Sequence, residues 1–93
     1  MKHQLIEELF NYKGKIVFIT GTSGLLGSSL VNLFLKLGSI VIGVDIKKNK
    51  ITHKNFLFLK KNIANDKDVK KILQKIIKKH NKIDIIINNA GVS

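Results

Sequence analysis

Three glycines at a spacing of three, Gly21, Gly24 and Gly27, follow a run, Ile16 to Thr20, that is β-branched except for Phe18, and lead into a long apolar segment that begins at Leu25. A turn without Cβ atoms lets an anion come within hydrogen-bond reach of bare N–H groups. The helix that follows points its positive end at that anion, so the chemistry on offer is the holding of a phosphate or pyrophosphate. Asp45 lies 24 residues after Gly21, at the end of a second short run, Ile40 to Val44. A carboxylate at a strand tip there can accept hydrogen bonds from the hydroxyls of a ribose. A glycine string alone is a weak signal, because loops collect glycine. A strand before it, a helix after it and an acid roughly twenty residues on make it a dinucleotide signature. The bland alternative is a glycine turn that only packs a helix closely on a strand.

The elements that must position these residues follow from periodicity. Leu26, Leu30, Leu33, Phe34 and Leu37 recur at helical spacing over Leu25 to Leu37 and predict one covered face, with Gly38 just past the helix end. Ile46 to Lys50 is polar and basic and reads as a short loop or frayed turn. Phe56 to Leu59 is a brief fully apolar run, which predicts a strand buried on both faces of a parallel sheet. Asn65 or Asp66 can cap the next helix, with Asp68 in its first turn. That helix sets Val69, Ile72, Leu73, Ile76 and Ile77 on one side and lysines largely opposite. Ile83 to Ile87 is the last predicted strand, entered by Asp84 as a turn residue and left through Asn88 and Asn89.

This alternation predicts the α/β class: the first half of a Rossmann-like, doubly wound parallel sheet, in strand order 3-2-1-4 with right-handed crossovers. The glycine turn and residues 88–91 then converge on one crevice. Residues 14–93 form this half-domain. Residues 1–13 form an N-terminal leader, in which Leu5, Ile6, Leu9 and Phe10 suit either a short amphipathic turn laid against the domain or a loosely packed segment.

Composition narrows the classes. With 93 residues the chain holds one domain at most. It has no cysteine, hence no disulfide framework, thiol nucleophile or cysteine metal site, and His3, His53 and His80 fall at no metal-ligand spacing. No apolar stretch approaches the roughly 20 residues that span a bilayer, and no signal-peptide core is present, so a cytoplasmic location without membrane partners is expected. The net charge of +11 invites a nucleic-acid reading. All 17 basic residues are lysine, however, and arginine is the residue suited to bidentate contacts with phosphate and guanine. With 15 isoleucines and nine asparagines beside them, the lysines read as the bias of an A+T-rich genome, and no specific nucleic-acid site is expected.

Between Gly14 and Ser93 the sequence resembles the short-chain dehydrogenase/reductase family of Rossmann-fold oxidoreductases, which move hydride between a nicotinamide cofactor and an alcohol or carbonyl. The likeness is carried by Gly14-Lys15 before the first strand, Thr20-Gly21 opening the glycine turn, Asp45, and above all Asn88-Asn89-Ala90-Gly91 after the fourth strand. The resemblance implies that Gly21, Ser23, Gly24, Leu25, Leu26 and Gly27 wrap the pyrophosphate, with Gly27 letting helix and strand pack closely. It implies that Asp45 holds the adenosine ribose and favours NAD over NADP, a preference softened by Lys47 and Lys48. Asn89, Ala90 and Gly91 would line the ribose of the nicotinamide half, and Asn88 would tie the central strands together. Two positions depart from the family. The middle glycine of the family's usual pattern falls on Leu25, whereas here it is Gly24, the spacing of the sugar-nucleotide epimerase branch. The adenine-contacting acid is replaced at Asn62-Ile63 by an amide, which still offers the adenine edge a donor and an acceptor.

The family's catalytic set is a serine and a tyrosine followed four residues on by lysine. Here the one tyrosine, Tyr12, precedes the first strand and is followed at that distance by Ile16, and Ser93 comes too early in the chain. No catalytic residue is therefore assigned. The expectation is a cofactor-binding N-terminal portion of an oxidoreductase, inactive alone, whose substrate contacts and any oligomer contacts belong to a longer product. The alternatives are a stand-alone nucleotide-binding or regulatory module and a fragment of an epimerase or dehydratase type.

Overall fold

The computed structural model describes residues 11–63 and 65–89. Four strands, β1 (Ile16–Thr20), β2 (Ile40–Asp45), β3 (Phe56–Lys60) and β4 (Ile85–Asn88), are accompanied by two helices, α1 (Leu25–Lys36) between β1 and β2 and α2 (Asp66–His80) between β3 and β4. The strands pair in parallel in the order β3-β2-β1-β4, as the alternation predicted. β1 is central and all five of its residues are buried, so its continuous apolar run is what a strand covered on both faces requires. Val17 and Ile19 face α1 through Val31, Phe34 and Leu35, while Ile16 and Phe18 face α2 through Ile72 and Ile76. Tyr12 closes the lower end of the first cluster against Phe34, with ring centroids 5.9 Å apart.

Three expectations about buried faces are corrected. In α1 the buried positions are Gly27, Val31, Phe34 and Leu35, whereas Leu26 and Leu33 are half exposed. Apolar side chains, with Val31, Phe34 and Leu35 beside the leucines, lie almost all round this helix, so periodicity alone does not choose its phase. The phase is set by Gly27: a Cβ there would stand 2.0 Å from the Gly21 carbonyl oxygen, so the helix must turn this bare position onto the glycine turn. In α2, Ile72 and Ile76 are buried and Val69 and Leu73 pack beside them, but Ile77 is 48% exposed at the edge of the stripe. β3 is not buried on both faces. It pairs only with β2, and α2 reaches Leu59 but leaves Leu57 49% exposed.

The ends of the elements are held by polar groups. The Asn65 side chain accepts the Asp68 N–H at 3.1 Å and caps α2, while Asn81, in the left-handed region at φ 69°, closes its other end. β4 begins at Ile85, two residues later than predicted, and the preceding Asp84 carboxylate accepts the Ile16 N–H at 2.7 Å, stapling β4 to β1. Among the described residues no helix is long and apolar enough to cross a membrane.

Candidate dinucleotide site

The glycine turn sits at the C-terminal ends of the strands, where a parallel sheet opens its crevice on either side of the first strand. Gly21 leaves β1 with φ 70°, a left-handed backbone that a residue without Cβ adopts freely. Its N–H donates to the Val44 carbonyl at 2.8 Å, which binds the turn to the tip of β2. α1 then starts at Gly24 with no side-chain cap and no acid in its first turn, so its leading N–H groups face the crevice without a protein acceptor from a side chain. A Cβ on Gly24 would meet only the Gly21 carbonyl oxygen at 3.7 Å, an ordinary contact. Packing within the chain therefore does not require glycine at this position. Bareness there makes sense toward something that approaches from the crevice.

Asp45 is half-buried at the end of β2 and its carboxylate is fixed by two backbone donors, Ser23 N–H on Oδ2 and Lys47 N–H on Oδ1, each at 2.9 Å. An ionised carboxylate has about four acceptor sites, so both oxygens keep lone pairs for further donors. Across the sheet, the Thr20 hydroxyl donates to Asn88 Oδ1 at 2.9 Å and accepts the Asn89 N–H at 3.0 Å. The Asn89 amide donates to the Gly21 carbonyl at 3.1 Å, so the tip of β4 is tied to the root of the glycine turn.

These elements enclose a cleft of about 630 Å³. Its lining includes Gly21, Ser23, Gly24, Leu25, Leu26, Asp45, Asn62, Ile63 and Asn89, each a position to which the family resemblance gives a cofactor contact. Gly27 lies beneath the turn and not in the cleft lining, while Ala90 and Gly91 lie outside the described residues. Val44, Ile46 and Lys61 also line the cleft although no motif singled them out. Lys61 arrives there because its N–H donates to the Asp45 carbonyl at 3.0 Å, a continuation of sheet pairing that composition does not reveal. Sequence reasoning also missed Asn49, whose amide donates to the Thr22 carbonyl at 2.8 Å and whose Oδ1 accepts the Ile51 N–H at 2.8 Å. An asparagine in a polar loop, two residues before an apolar one, was the available signal for that turn. Among the described residues no group of three or more metal-ligating side chains gathers anywhere.

Comparison with known proteins bears on the family and the fold. The family described as short chain dehydrogenase matches residues 15–93. An uncharacterized oxidoreductase of Schizosaccharomyces pombe is 32% identical over 81 residues, covering 87% of this chain and 31% of the relative. The NAD-dependent glycerol dehydrogenase of Listeria innocua is 31% identical over 90 residues, covering 90% of this chain and 35% of that protein. A short chain dehydrogenase of Leptospira borgpetersenii, solved with bound NAD+, superposes with a TM-score of 0.72 at 32% identity, over 82% of this chain and 31% of that one. The chain thus spans about a third of the length of the proteins it matches.

Proposed function

The chain belongs to the short-chain dehydrogenase family, and from that premise we propose that it is the NAD-binding, N-terminal portion of an oxidoreductase that exchanges hydride between NAD(H) and an alcohol or carbonyl. The carrying observation is Gly24, a residue whose missing Cβ the protein's own packing does not need, set at the uncapped start of α1. Gly21, Ser23 and Gly24, with the first N–H groups of α1, hold the pyrophosphate against the helix N-terminus. Asp45 accepts the adenosine ribose hydroxyls, and Asn62 and Ile63 flank the adenine. Asn89, with Ala90 and Gly91, meets the nicotinamide ribose.

Bound NAD supplies the hydride acceptor; this chain supplies its grip and orientation. Tyr12 lies before the N-terminal end of β1, at the far end of the sheet from the cleft, so it has no part in moving the accompanying proton. The carboxylate of Asp45 disfavours a 2′-phosphate by like-charge repulsion, and NAD is the preferred cofactor, NADP the weaker one. The test is a fluorescence titration of the full chain with NADH. Saturable binding is expected, weakened at least about tenfold in Gly24→Ala while the melting temperature stays within about 3 °C, since the methyl group obstructs only the ligand. Equal NADH affinity in the wild type and the variant would refute this placement of the pyrophosphate.

A further inference from the structure

The connection from β2 to β3, residues 46–55, contains no helix or strand, yet it is tied down at its start. Lys47 donates its N–H to Asp45 Oδ1 at 2.9 Å and accepts the Ser23 hydroxyl on its carbonyl at 2.8 Å. Two residues on, Asn49 spends both ends of its amide. The NH2 group donates to the Thr22 carbonyl in the glycine turn, and Oδ1 receives the N–H of Ile51, whose side chain packs into the core cluster under α1. The Thr22 carbonyl also accepts the Ser28 hydroxyl from α1 at 2.9 Å. Asn49 therefore joins three bodies: the glycine turn, the core-anchored part of the connection and, through the shared carbonyl, the first helix.

We propose that Asn49 is a positioning residue of the cofactor site, a bridging amide that holds the β2–β3 connection on the glycine turn and so presets the Asp45 carboxylate for the adenosine ribose. It acts through Asp45 and the turn, not by touching the dinucleotide, and the inference rests on the dinucleotide reading above. The physical reason is preorganisation. The Lys47 N–H that orients Oδ1 of Asp45 belongs to a segment with no sheet or helix ladder of its own. The hydrogen bonds from Ser23 and Asn49 are what fix that segment, and a carboxylate held before binding gives up less freedom when the ribose arrives. Supporting residues of this kind typically change affinity by roughly 10- to 100-fold when removed from metal sites, and the lower end suits a singly hydrogen-bonded loop.

Two variants separate the roles of the amide. Asn49→Asp keeps an acceptor for Ile51 but loses the donor to Thr22 and faces that carbonyl with negative charge; Asn49→Ala loses both bonds. Both are titrated with NADH and with NADPH beside the wild-type chain, and their melting temperatures are recorded. The expected result is an NADH dissociation constant raised about tenfold in both variants, with that for NADPH raised by a clearly smaller factor, because a freed Asp45 both grips the ribose less and repels a 2′-phosphate less. The preference for NADH then narrows, a change that general loosening of the fold does not produce. Should either Asn49 variant fail to fold, Asn49→Gln makes the same comparison, since it keeps the amide but carries it one methylene away from its place between the Thr22 carbonyl and the Ile51 N–H. Unchanged NADH affinity, or equal losses for the two dinucleotides, would overturn the inference while wild-type binding leaves the dinucleotide reading standing. A wild-type chain that binds neither dinucleotide would overturn both.

Discussion

One added methyl group separates the two jobs that glycine does in the turn. At Gly27 the new Cβ would lie 2.0 Å from the Gly21 carbonyl oxygen and 2.9 Å from the Thr22 Cα, all of it backbone that cannot swing aside. Gly27→Ala is therefore expected to cost about 3 kcal/mol of stability, read as a lowered urea midpoint, in contrast to the binding-only effect expected at Gly24. Equal melting curves for the two variants would show that α1 is not seated as described. The opposite end of β1 carries a residue-scale effect of pH. The Ile16 N–H hydrogen bond, reinforced by the Lys82 and Lys15 ammonium groups at 3.3 and 3.9 Å, holds the Asp84 carboxyl below its ordinary value. A carboxyl with a depressed folded-state pKa stabilises the fold above its unfolded-state pKa, and the contribution is lost as pH falls through the folded value. Asp84→Asn keeps an oxygen for Ile16 but cannot ionise. Between about pH 5 and pH 2 its stability is expected to decline less steeply than that of the wild type in urea titrations at successive pH values. Parallel acid limbs for the two proteins would remove Asp84 as a contributor.

At the scale of elements, α2 shows what a sequence pattern can and cannot specify. Its polar cap and its central apolar pair were legible: an Asx residue followed at the third position by an acid, then isoleucines at i and i+4, with lysine filling the remaining turns. Hydropathy alone puts Ile77 in the same stripe, because it is apolar and adjacent to Ile76. A neighbour in sequence, however, is turned about 100° around the helix, and only the sheet beneath decides which side of the stripe is covered. Ile76→Ala is accordingly expected to cost about 2–4 kcal/mol and Ile77→Ala under about 1 kcal/mol, measured by chemical denaturation. Comparable losses would mean that α2 sits rotated on β1 and β2. α1 is the harder case: with Leu26, Leu30 and Leu33 on one side and Val31, Phe34 and Leu35 on another, the phase came from a single steric fact at Gly27 that hydrophobicity does not encode. The strand order and the convergence of the turn with Asp45 and Asn89 were readable, because alternating elements and right-handed crossovers leave few arrangements. Asn49 and Lys61 were not, since their places depend on main-chain partners in segments far away in sequence.

For the whole molecule the dominant quantity is charge. Seventeen lysines face six acids, and among the described residues the ion pairs converge on a single carboxylate, Asp84. Most lysines thus repel one another across a surface small enough that many lie within a Debye length at low salt. Self-repulsion of this kind raises the free energy of the compact state relative to the expanded chain, in which the charges move apart. Adding sodium chloride from about 10 to 500 mM shortens the Debye length from about 30 Å to under 5 Å and should raise the melting temperature by several degrees. The same screening acts in the other direction on the ligand. On the proposed reading the dinucleotide pyrophosphate is an anion entering a cleft whose walls include Lys47 and Lys61, so the long-range attraction that gathers it weakens as salt is added. Stability and NADH affinity are therefore expected to move oppositely over one salt series, the first rising and the second falling. Differential scanning fluorimetry and NADH titration on the same samples measure both. A melting temperature that falls with sodium chloride would show that specific ion pairs, and not net repulsion, govern the fold. An affinity that ignores salt would show that the lysines at the cleft play no part in drawing the anion in.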